Sequence, residues 1–194
     1  QAYKFHAFTI NDKTEVGWFY CSSGSNNIDR YVLYNYAEDA WSYGELARTA
    51  WLDTGVEPYP RAVENGYLYE QETGFDADGS PMENVYIQSS DFDIGEGDDF
   101  QFINRIIPDF KFLQNANNGS VNIALQTRDY PGNSLTVAST SSIQENTGQV
   151  NVRARGRQAA LRFGSDDDAT NDGNLGIGWR LGATRIDIRQ DGSR

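Results

Sequence analysis

Apolar and polar residues alternate with period two along most of the chain, and helical spacing is almost absent. Period-two alternation marks strands with one buried face. Thr14, Val16, Trp18 and Tyr20 share a face of a predicted strand over 14–21, and a polar loop follows at 22–27. A second strand is predicted over 28–36, a turn over 37–40, and a return segment opening at Trp41. Residues 47–53 read as a further strand. Residues 58–72 read as a hairpin, with Asn65-Gly66 as a type I′ turn between Ala62-Val63 and Tyr67-Leu68-Tyr69. Residues 73–84 have no periodicity and read as an acidic linker loop. Beyond them, strands are predicted over 85–94, 100–107, 121–128 and 135–139, with turns at 95–98 and 130–133. Turns every eight to twelve residues fit a β-sandwich or flattened barrel.

Residues 150–194 carry the sharpest pattern and predict one long β-hairpin, with arms 150–163 and 176–189 around an Asp-, Asn- and Gly-rich loop. In the first arm Val150, Val152 and Ala154 are even-numbered, whereas Leu161 and Phe163 are odd. In the second, Ile177, Trp179 and Leu181 are odd, then Ile186 and Ile188 even. A strand changes faces only through a bulge or bend, and a glycine, Gly156 or Gly182, stands at each switch. Pairing Phe163 with Gly176 sets these glycines almost opposite each other. The same register places Arg153, Arg155, Arg157, Arg185 and Arg189 on one face, with only Asp187 among them. That face is too charged for a core and is the candidate partner-docking surface.

Composition narrows the class. With 194 residues, the chain has room for one large or two small domains. Cys21 is the only cysteine, which excludes an intrachain disulfide. His6 is the only histidine, so a Ser-His-Asp triad would have to use it. Its place in the aromatic string from Tyr3 to Phe8 favours a packed structural role. No run reaches the length of a membrane span. The net charge of −12 is uneven: residues 1–99 hold five Lys/Arg and nineteen Asp/Glu, residues 100–194 eleven and nine. The second stretch has ten arginines and only Lys111 beside them. Arginine's planar fork suits carboxylates and phosphates, while the acidic total argues against general nucleic-acid binding. Asp76, Asp78 and Ser80 have the alternating oxygens of a calcium loop without the EF-hand spacing, and a plain acidic turn is the competing reading. No other cofactor motif is present. Asp91, Asp93, Glu96 and Asp98 cluster, but a glycosidase needs two carboxylates at set separation across a cleft. Solvated turn charges are the simpler reading.

Two resemblances give these patterns a setting. The string Val32-Leu-Tyr-Asn-Tyr-Ala-Glu-Asp-Ala-Trp41 resembles a kelch-type blade of a β-propeller. One blade and part of another do not close a propeller. The only methionine is Met82 and Gln1 opens close to a strand, so the chain is expected to be a fragment with its other blades upstream. Leu68-Tyr-Glu-Gln-Glu-Thr-Gly74, Asp91-Phe-Asp-Ile-Gly-Glu-Gly97, Arg105-Ile-Ile-Pro-Asp-Phe110, Arg153-Ala-Arg-Gly-Arg-Gln158 and Gly178-Trp-Arg-Leu-Gly-Ala-Thr-Arg-Ile-Asp-Ile-Arg189 together resemble the C-terminal region of virion structural proteins of tailed bacteriophages. The nearest group is the tail hub or nozzle proteins of short-tailed phages, including packaged-DNA stabilisation proteins.

The resemblance implies an all-β chain: a partial propeller over 1–72, the linker over 73–84 and a β-sandwich or barrel over 85–194. It implies copies arranged in a ring, usually a hexamer, made in the host bacterial cytoplasm and built into the virion tail beside neighbouring tail or adaptor proteins. Packaged DNA would pass through without specific binding, and no enzyme activity or cofactor is implied. The alternative is a carbohydrate- or receptor-binding module in which Trp18, Trp41, Trp51 and Tyr59 stack on sugars. Core packing is the competing role for these rings.

Overall fold

The computed structural model describes residues 4–74, 76–77, 80–81, 85–113, 120–165 and 178–192. Among the described residues the chain is all-β, built from several antiparallel sheets, none of which closes on itself. It divides into two compact units, Gln1–Gly74 and Phe75–Arg194.

The first unit opens with an antiparallel meander of β1 (His6–Ile10), β2 (Glu15–Tyr20), β3 (Arg30–Asn35) and β4 (Ala40–Glu45), hydrogen-bonded in that order. A second sheet follows, of β5 (Ala50–Leu52), β6 (Arg61–Glu64) and β7 (Tyr67–Glu70). The β6–β7 turn has Asn65 at φ 49° and Gly66 at φ 83°, the left-handed pair that a type I′ turn requires. Phe8, Ile10 and Phe19 are buried on one face of the meander, and Trp51 of β5 packs 4.8 Å from Phe8. The Trp51 indole N–H donates to the Thr9 carbonyl at 2.9 Å, which satisfies its polar atom within the aromatic cluster.

The second unit contains β8 (Asp76–Ala77), β9 (Ser80–Pro81), β10 (Val85–Gln88), β11 (Gln101–Ile107), β12 (Phe110–Phe112), β13 (Val121–Arg128), β14 (Thr136–Ile143), β15 (Val150–Gly156), β16 (Gln158–Ser165), β17 (Trp179–Leu181) and β18 (Arg185–Gln190). One sheet runs β10-β16-β13-β14 and another β15-β11-β18. β12 pairs with β17, and β8 with β9. A single apolar cluster joins Ile103 and Ile106 of β11 and Val152 of β15 to Ile123 and Leu125 of β13 and Leu161 and Phe163 of β16. Both larger sheets therefore supply one core.

The terminal hairpin expected from the sequence does not form. β15 and β18 lie on opposite sides of β11: Phe102 faces Arg155 on one side and Arg189 on the other. β16 pairs with β10 and β13, and β17 with β12. Gly156 is level with Gln101 and Gln190, whereas Gly182 lies past the far end, beyond the Ile107–Arg185 pair. The physical reason is burial. As a central strand, β11 has both backbone edges paired, and Ile103 and Ile106 are 1% and 0% exposed. Period-two alternation fixes which face a residue takes but leaves the partner strand open.

The bends at the two glycines are real, but their cause is close approach. At Gly156 the chain leaves the β11 sheet and enters the β13 sheet as β16. A Cβ there would lie 2.8 Å from the Thr127 Cβ and 3.3 Å from the carbonyl oxygens of Arg128 and Gln158. At Gly182, between β17 and β18, a Cβ would meet the Asp109 carboxylate. Gly156→Ala is expected to destabilise the chain by about 1–3 kcal/mol in urea unfolding, because backbone and a packed strand would have to shift. Gly148→Ala, where nothing lies within 4 Å, is the control and should change stability by less than about 0.5 kcal/mol.

Candidate functional site

The outer face of the β15-β11-β18 sheet is the arginine surface. β15 alternates strictly, with Val150, Val152 and Ala154 buried and Asn151, Arg153 and Arg155 exposed. On β11 the period breaks at Asn104, which bulges against β18 and faces two residues of β15, so Ile103 and Ile106 both point inward and Arg105 turns outward. β18 exposes Arg185, Asp187 and Arg189 between Ile186 and Ile188, which pack on the core. Arg153, Arg155, Arg185 and Arg189 thus share one face, although no hairpin joins their strands.

These arginines are not equivalent. Arg155 is tied to Asp191 at 2.7 Å, with its guanidinium 3.8 Å from the Phe100 ring centre. Arg189 lies 4.8 Å over Phe102. Arg105, which the sequence reading left out, pairs with Asp187 at 2.6 Å. The signal for Arg105 is the bulge, which no alternation rule shows. Arg157 belongs to the corner. Its backbone N–H donates to the Arg128 carbonyl at 3.0 Å, and its guanidinium donates to the carbonyls of Gly97 and Asp98 and lies over Phe100. Among the described residues, Arg153, Arg185 and Arg189 have no carboxylate partner.

The charge around this face differs from the split read at residue 99. Residues 1–74 hold five Lys/Arg against eleven Asp/Glu, and residues 75–194 eleven against seventeen, so each unit carries −6. The arginine face is a local basic patch on an acidic unit.

A second surface lies on the meander, on the face opposite Phe8 and Phe19. The registers align Val16 with Tyr34 and Trp41, and Trp18 with Val32 and Tyr43. Trp41 stacks on Tyr34 at 4.5 Å and near-parallel to Trp18 at 6.2 Å. Trp41 is 63% exposed and Tyr43 78%. Core packing therefore describes Trp51 but not Trp41. Tyr59 borders a small hollow of about 190 Å³ with Ile10, Pro58, Pro60 and the Lys13–Glu72 ion pair.

The remaining candidates have structural partners or lie outside view. Asp91 forms an ion pair with Arg128, and Asp93 accepts from the Gln158 side-chain amide at 3.1 Å. Glu96 and the candidate cation ligands Asp76, Asp78 and Ser80 lie outside the residues whose side chains are described. Among the described residues, no three metal-ligating side chains gather, and no helix is long and apolar enough to cross a membrane.

His6 packs 5.1 Å from the Phe19 ring, and burial holds its pKa below the ordinary 6.5. The folded state therefore resists protonation of His6. Its stabilising effect is present above the unfolded pKa and is lost as pH falls from 6.5 toward the lower folded value. The free energy of unfolding should fall as pH drops from about 7 through 6.5 and below, and His6→Asn should flatten that dependence in urea titrations on either side of 6.5.

No protein-family model matches the chain, and no curated protein matches its sequence.

Proposed function

We propose that this chain is a non-catalytic assembly module of a tailed-bacteriophage virion, part of a ring-forming tail hub or nozzle that guides or retains packaged DNA. The observation that carries the assembly reading is a four-stranded sheet apolar on both faces. Phe8 and Phe19 lie on one side, and Trp18, Trp41 and Tyr43 on the other. A blade stacked between two neighbours needs two such faces, and a free-standing sheet needs only one. In this reading the meander is a propeller blade. The second unit is a sandwich, since two sheets share its core. The resemblance of the sequence strings to virion proteins supplies the phage tail and the location in the virion.

The engaged carboxylates Asp91 and Asp93 support the non-catalytic reading, because a hydrolase keeps its acid and base free to face substrate. The arginine face is assigned to acidic protein neighbours. A wall that passes DNA should grip few phosphates, since each contact adds salt-dependent affinity.

The exposure of Trp41 and Tyr43 favours one second reading, a carbohydrate- or receptor-binding module. Against it, Trp41 lies stacked between Trp18 and Tyr34. These contacts cover part of the side chain and leave 63% of the residue exposed.

Arg153 and Arg189 are the positions to test for a DNA role, because Arg155 also holds Asp191. Titrating the chain against duplex DNA over a range of salt should show negligible binding, unchanged in Arg153→Glu/Arg189→Glu. Tight binding that falls with salt at a log–log slope of roughly −0.9 per phosphate, and is lost in that variant, would assign the face to DNA.

A further inference from the structure

The aromatic face of the meander and the arginine face of the second unit are each incomplete in the way the other could repair. Trp41 and Tyr43 leave on the order of 300 Å² of ring surface in water, more than a third of one side of a standard interface. Carboxylates bracket these rings. Asp39, in the β3–β4 turn, accepts the Tyr34 hydroxyl at 2.9 Å. Glu45 follows Trp41 and Tyr43 at the same two-residue step, and its side chain is 75% exposed despite its pair with Arg30. The other surface presents Arg153, Arg185 and Arg189 without carboxylate partners among the described residues, interleaved with Phe102 and Ile107. Arginine binds both kinds of group that the first face offers, stacking on ring faces and forking onto carboxylates. Both surfaces are strands, so their side chains repeat at the same spacing of roughly 7 Å. Trp, Tyr and Arg are also the residues that dominate binding energy at protein interfaces.

We infer that the aromatic face of one copy docks onto the arginine face of another. The contact is head-to-tail, with different surfaces on the two partners. Such a contact propagates from copy to copy and yields a closed ring or an open filament, according to the rotation between subunits. This deepens the proposed ring-forming role and rests on it. The occupant is a second copy because the matching chemistry is present on this chain: rings and carboxylates in one unit, and in the other guanidinium groups that have no carboxylate partner among the described residues.

Sedimentation velocity on three proteins tests it: the wild-type chain, Tyr43→Lys, and Arg153→Glu/Arg189→Glu. Tyr43 is largely exposed, so Tyr43→Lys leaves the Trp41–Tyr34 stack in place, and circular dichroism confirms folding of both variants. The wild type should assemble with concentration, more weakly at high salt. Each variant alone should associate roughly thirtyfold or more weakly. Mixed one to one, the variants should form a dimer that grows no further, because each retains the face that the other lost. Wild-type assembly undisturbed in both variants would overturn this interface while leaving the ring reading intact. Variants that are monomeric both alone and mixed would overturn the head-to-tail pairing, as would loss of association in one variant only, which would assign a like-with-like contact to the face that variant alters. A wild-type chain still monomeric near millimolar concentration would overturn both the interface and self-assembly. Quenching of its tryptophan fluorescence by added oligosaccharide would then give the aromatic face to a sugar.

Discussion

The second unit depends on how closely its two larger sheets approach at the corner of Gly156 and Arg157. Here β15 ends on one sheet and β16 begins on the other. The backbone at Gly156 presses on Thr127 so closely that no side chain fits between them. Three hydrogen bonds hold the crossing. The Arg157 N–H donates to the Arg128 carbonyl, and the side-chain amide of Gln101 donates to the carbonyls of Arg157 and Phe92. Gln101 is 1% exposed, so these bonds form away from water, where an unpaired carbonyl would be costly. The crossing commits β15 to β11 and β16 to β13, and the arginine face and the core follow from that commitment.

One inserted residue sorts charge from core on the same sheet. Without a bulge, strict alternation from Ile103 would send Arg105 inward and Ile106 outward. The bulge at Asn104 reverses this. Ile106 is fully buried, and Arg105 reaches Asp187 across the exposed face. Burying an unpaired guanidinium would cost several kcal/mol, whereas one unpaired strand residue disturbs only the local ladder. The bulge thereby sets which side of the sheet is basic.

Much of this was legible in the sequence, because alternation reports directly on which face a residue takes. The strands from Glu15 to Tyr20 and from Val121 to Arg128, the Asn65-Gly66 turn, and the common face of Arg153 with Arg155 and of Arg185 with Arg189 all follow from residues a few positions apart, whereas β11, not the expected hairpin, brings the two arginine pairs onto one sheet. Strand partnership is a different kind of information. Gly156 lies opposite Gln101, more than fifty positions earlier, and nothing local in either segment specifies that choice. Arg105 was hidden by its bulge, and Arg157 by a corner whose purpose depends on Thr127 and Gln101. The outer aromatic face has a readable sign in the sequence. In 14–20, Val16, Trp18 and Tyr20 are apolar on one set of positions, while Phe19 and Gly17 occupy the other. When both sets are apolar, both faces of the sheet need cover.

Each unit carries the same net charge, so long-range attraction between unlike domains cannot organise an assembly of these chains. At physiological salt the Debye length is about 8 Å, and net charges of −6 act only as weak mutual repulsion beyond it. In the proposed assembly, recognition is therefore short-range and local. The two exposed faces are suited to that regime: rings bracketed by Asp39 and Glu45 on one, arginines spaced by Phe102 and Ile107 on the other. Only when guanidinium and ring or carboxylate are within a few ångströms, with water displaced, does the attraction exceed the general repulsion. The acidic surroundings then discriminate among partners. They disfavour any encounter that does not bring the arginine patch against carboxylates or rings, and a uniformly basic unit would lack that selectivity.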